Sequence, residues 1–146
     1  MRLMTIRWLC VVVLLALPRF ASAAEITLSC GWQELEVQLC EEAGAAWSAE
    51  SGHSVEIVRG PQQSNQRYLE YLDLLARGDG SIDILQIDVI WPSALAEDLI
   101  DLSEHIPAEI QKRHFEAIVA NNTVDERLVA MPWFTDAGML FYRTDL

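Results

Sequence analysis

Hydrophobic and polar positions fall into a repeating order along the first half of the chain. Residues 25–30 (Glu-Ile-Thr-Leu-Ser-Cys) alternate and are rich in β-formers, which predicts a first strand. Gly31-Trp32 breaks it. Residues 33–50 are helical in composition, with Leu35, Leu39, Ala43, Ala46 and Trp47 as the expected inward face and Gly52 placed as the cap. Residues 54–59 read as a second strand. Residues 66–77 read as a second helix with Leu69, Leu72, Leu75 and Ala76 inward, and the nearly continuous apolar run 82–87 as a third, central strand. Strand, helix, strand, helix, strand with connections of this length predicts an α/β fold with a mostly parallel sheet flanked by helices.

The second half is less regular. Pro92 suits the first turn of a short helix reaching Ala96. Two more short helices are expected near 107–113 and 115–120, then a turn at 121–126. Asn121-Asn122-Thr123 has the form of a glycosylation acceptor, but its composition is that of a turn. Two apolar strands are expected at 127–131 and 138–143, separated by Pro132-Trp133-Phe134-Thr135-Asp136-Ala137. Asp145 is placed as the N-cap of a following helix, so a longer protein is expected.

The amino-terminal pattern is of a different kind. Arg2 and Arg7 precede an apolar run from Trp8 to Leu17 that is too short to span a bilayer. Ala21-Ser22-Ala23 then marks cleavage after Ala23, with Ala24 as the neighbouring alternative. Residues 1–23 are expected to be a signal peptide, and the protein to be periplasmic. Its removal takes away three arginines and no acid, so the formal charge moves from −12 to −15. That excludes nucleic acid and anionic membrane surfaces as expected partners. Export permits a bridge between Cys30 and Cys40, although helical rise makes the reach long; a bridge and two buried thiols both stay open.

No catalytic motif is present: no phosphate loop, no Gly-x-Ser-x-Gly and no His-Glu-x-x-His. His53, His105 and His114 lack ligand spacing, so no metal is expected, and no cofactor. The chemistry that remains is positional, because open α/β sheets bind ligands outside the carboxyl ends of their strands. Those ends carry Glu34, Arg67, Asp88 and Trp91, each with a plainer alternative. Glu34 could serve its helix dipole, Arg67 could pair with Glu70 or Glu34, Asp88 could cap the next helix, and Trp91 could be core. Aromatic faces beside carboxylates suit a polyhydroxylated ligand.

Ser29-Cys30-Gly31 with its Glu-bearing helix, Gln86-Ile87-Asp88-Val89-Ile90-Trp91-Pro92 and the stretch from Met131 to Leu146 resemble the extracellular solute-binding proteins of ABC importers. The branch is family 1, similar to trehalose/maltose-binding proteins. The resemblance implies a periplasmic-binding-protein-like fold: two lobes closing on a sugar, with the closed form presented to ABC permease membrane subunits. It implies a monomer without enzymatic activity. It divides the chain into a signal peptide (1–23), an N-terminal lobe (24–137) and the first hinge strand with the start of a second lobe (138–146). It places Glu34, Arg67, Asp88, Phe134 and Asp136 at ligand-contact positions, with Trp91 and Trp133 added by proximity. Two departures stand out. Glu126 occupies a turn where the family usually has Gly, and family members are typically more than twice as long as this chain. The alternatives are a binding protein for a non-sugar ligand such as a polyamine, a secreted enzyme with its catalytic residues elsewhere, and a truncated, inactive relic.

Overall fold

The computed structural model describes residues 23–135 and 139–145. Strand β1 (Glu25–Cys30) and strand β2 (Ser54–Arg59) pair in parallel over their full length, from Glu25 opposite Ser54 to Cys30 opposite Arg59. Between them runs α1 (Glu34–Ser51), ended by Gly52 in the left-handed region at φ 75°, whose N–H donates to Ser48 O at 3.0 Å. Helix α2 (Ser64–Ala76) leads from β2 to β3 (Ile84–Leu85), which pairs in parallel with the other side of β1. The sheet order is β2-β1-β3, with a helical crossover between consecutive strands as parallel pairing requires.

Beyond β3 follow the short helices α3 (Pro92–Leu95), α4 (Ala108–Gln111) and α5 (Glu116–Asn121), then a small antiparallel hairpin, β4 (Thr123–Val124) and β5 (Arg127–Leu128). The hairpin is tied to the α3 region. Arg127 Nη2 donates to Ala96 O at 3.0 Å and Leu99 O at 2.6 Å, and Leu102 N–H donates to Leu128 O at 2.7 Å. Tyr71, Trp91 and Leu95 form the buried core under α2 and α3, with Tyr68, Leu72, Leu75, Leu85, Ile87 and Leu99 packed around them.

Three expectations need correction. The inward face of α1 is Val37, Cys40 and Gly44; Leu35 and Leu39 are exposed. The rotation follows from two contacts. Cys40 is bonded to Cys30 at the end of β1 (Cα–Cα 6.6 Å), and Gly44 lies so close to β2 that an added Cβ would sit 3.3 Å from Val55 Cβ. A small residue at the crossing lets helix and strand approach, so bulk alone misidentifies the face. The cysteine question left open above is thereby answered: the first turns of α1 lie back across the strand end, and the two cysteines form a disulfide.

On helix α2, Leu72 and Leu75 pack against the core as expected, but Tyr71 and Leu74 are its buried residues and Leu69 is exposed. Its tyrosines, not only its leucines, carry the packing. Lastly, residues 139–143 form no strand, and Met139, Leu140, Phe141 and Tyr142 are all exposed. No strand among the described residues offers them a ladder partner, and an unpaired apolar stretch gains nothing from extended pairing geometry. Arg143 pairs with Asp145 at the surface.

Candidate functional site

The carboxyl edge of the sheet is assembled from three loops. After β1, Gly31 is buried. Its N–H donates to Gln86 Oε1 from β3's far end, which joins the first and third loops. A side chain at Gly31 would strike the Glu36 carboxylate, whose Oε2 would lie 1.9 Å from an added Cβ. Beneath this, Tyr71 Oη of α2 shares a 2.7 Å hydrogen bond with Ser29 Oγ and donates to Gln86 O at 3.3 Å. Burial pushes the Tyr71 phenol above its ordinary value, with the Ser29 bond opposing the shift. Ser29, Tyr71 and Gln86 thus brace the floor of the edge. None stood out in the sequence, because serine in a strand and tyrosine in a helix carry no signal of a contact 42 residues away.

Glu34 opens α1 and accepts from Arg59 at 2.9 Å. Both side chains are more than half exposed, so water screens the pair and a ligand could displace it. Arg67 lies in the first turn of α2. It pairs with neither Glu34 nor Glu70: Glu70 accepts from Gln66 at 3.1 Å. Its guanidinium instead lies 5.6 Å from the Trp91 ring centroid, and its Nε is buried without a hydrogen-bond partner. Leaving a buried donor unpaired is costly, and the ring of Trp91 beneath the guanidinium offsets part of that cost. Gly60 makes room for this arginine, since an added Cβ would lie 2.8 Å from Cys30 O and 3.1 Å from Arg67 Cδ.

Asp88 follows β3. Its Oδ1 accepts from Ile90 N–H at 3.3 Å and its backbone oxygen from Trp91 N–H at 3.0 Å, so it does shape the turn into α3. Trp91 is 6% exposed and sits tilted against Tyr68 and edge-on to Tyr71. It serves the core and supports Arg67 rather than offering an open stacking face.

Trp133 and Phe134 are exposed and border an open groove of about 560 Å³ with Gln33, Leu35, Glu36, Leu39, Glu42 and Ala43. They meet the N-terminal half of α1, on the apolar face that the helix does not bury. Glu34 does not line this groove and pairs instead with Arg59, while Arg67, Trp91 and Asp88 gather at the α2–α3 end. Asp136 lies outside the described residues. A smaller cavity of about 230 Å³ beneath β2 and α2 contains none of the expected ligand residues. Among the described residues, no group of three His, Cys, Asp or Glu could hold a metal ion, and no helix is long and apolar enough to cross a membrane.

No protein-family profile matches the chain. A probable ABC transporter-binding protein of Deinococcus radiodurans is 43% identical over 126 residues, which covers 86% of this chain and 30% of that protein. The resemblance is to an ABC-transporter binding protein. Its fold agrees: the maltose-bound MalE3 of T. maritima superposes with a TM-score of 0.72 at 30% identity, covering 77% of this chain and 29% of its own. The chain thus spans less than a third of the length of either relative. The expected parallel α/β fold class and the expected kinship both hold.

Proposed function

We propose that the protein is the substrate-binding component of an ABC importer and that it captures a sugar of the trehalose/maltose kind in the periplasm for delivery to permease subunits. The observation that carries this reading is the 43% identity to an ABC transporter-binding protein, joined to a fold shared with a maltose-bound protein. In this proposal residues 1–23 are an export leader and residues 24–137 an N-terminal lobe. Residues 138–146 begin the crossing to a second lobe. The protein works as a monomer, and binding-driven closure rather than bond chemistry is its mechanism.

The site residues fit that role chemically. Arg67 supplies a guanidinium held over Trp91, Glu34 an acceptor held only by a solvated ion pair, and Asp88 a carboxylate with one oxygen in a turn. Trp133 and Phe134 supply exposed ring faces for the C–H surfaces of a pyranose. Asp136 is proposed as a further acceptor on the strength of the sequence resemblance alone. A polyamine is the second reading, favoured by the strong acidity of the chain and by Glu34, Glu36 and Asp88 along one edge. Calorimetric titration of the purified protein with trehalose, maltose and putrescine separates the two. Heat with a disaccharide supports the sugar reading; heat with putrescine alone overturns it.

A further inference from the structure

We propose that His53 is the docking group for a mature amino terminus at Ala24, so that processing between Ala23 and Ala24 yields the terminus that the fold accommodates. The inference rests on residues 1–23 being a cleaved leader, and goes beyond that reading by assigning a residue that receives the product. Two cleavage points are compatible with the sequence, after Ala23 and after Ala24. The structure distinguishes them. Ala24 N–H donates to His53 Nδ1 at 3.0 Å, and Ser54 N–H donates to Ala24 O at 3.0 Å. The Ser54 bond is the first rung of the β1–β2 ladder, at the Glu25–Ser54 pair, and the His53 bond ties down the residue just before the strand. A chain starting at Glu25 would lack both.

The acceptor is held in place before the terminus arrives. His53 follows the left-handed Gly52 cap of α1, its own N–H donates to Ser51 Oγ at 3.2 Å, and its ring lies 5.6 Å from that of Trp47. Nδ1 is the ring atom that accepts from Ala24, with the ring's other nitrogen left as the donor position. Hydrolysis of the Ala23–Ala24 peptide consumes one water, leaving a carboxylate on Ala23 and an ammonium on Ala24. The nitrogen already aimed at His53 then carries positive charge, and a neutral hydrogen bond becomes a charge-assisted one. Processing at this bond strengthens a contact; processing one residue later removes it.

The whole chain, exported by a bacterial host through its own leader, provides the test. Intact mass is expected to show loss of residues 1–23. A chain still carrying them, or one beginning at Glu25, overturns the proposal, and the former also overturns the leader reading. In the processed protein, H53A is expected to lower Tm by roughly 4 °C and to speed acylation of the α-amino group by an amine-reactive reagent severalfold. H53N, which keeps an acceptor oxygen at the δ position, is expected to restore both. Correct processing with wild-type acylation rates in H53A overturns the docking role alone. Should H53A fail to fold, H53N still decides: acylation at the wild-type rate supports docking, and severalfold faster acylation overturns it.

Discussion

At the residue scale, two positions carry consequences that can be measured. Asp125 and Glu126 both adopt positive φ, 48° and 65°, between β4 and β5. A two-residue hairpin turn of this hand favours glycine in its second place, and a β-carbon there costs about 1 kcal/mol. E126G is therefore expected to raise stability by about 1 kcal/mol in urea unfolding, and no change would mean that the turn is not strained. Tyr71 gives a pH dependence. Its phenol is raised above 10.0, chiefly by burial, so the unfolded chain ionises more readily than the folded one. The contribution is fully present below pH 10 and is lost as pH rises through the higher folded value. Y71F should flatten that alkaline limb. It should also cost about 1–2 kcal/mol at neutral pH through the lost bonds to Ser29 and Gln86. An unchanged alkaline limb in Y71F would remove Tyr71 as its source.

At the scale of elements, the sequence placed helices and strands better than it oriented them. β1 and β2 begin and end where alternation puts them, and α1 stops at Gly52 as expected. Local signals suffice for those, because period and caps are local properties. The rotation of α1 was not legible, since it depends on a cross-link to β1 and on a glycine lying against Val55, neither of which the apolar count registers. Arg67, Glu34 and Asp88 were legible as groups at strand ends. Their true partners, Trp91, Arg59 and Ile90, came only with tertiary structure. The bridge closes a short loop of sequence separation 10, for which chain entropy assigns roughly 3 kcal/mol. A C30A/C40A double variant is expected to lose about that much in urea unfolding and to loosen the end of α1 that carries Glu34. Stability equal to wild type would show that the bridge adds nothing to the fold.

For the whole molecule, a parallel sheet with polar loops at its carboxyl edge goes with a likeness to an ABC transporter-binding protein. We propose that the edge between α1 and α3 holds a sugar, with the Arg67 guanidinium beside Trp91 as a donor to it. The direct measurement is calorimetric titration of maltose and trehalose into wild-type protein and into R67M, which keeps an apolar stem over Trp91 but has no N–H. The account predicts binding by the wild type and at least about a tenfold loss in R67M, the effect expected for a hydrogen bond from a charged group, with Tm unchanged. Equal affinity in the two proteins, or no binding of either sugar to the wild type, would contradict it.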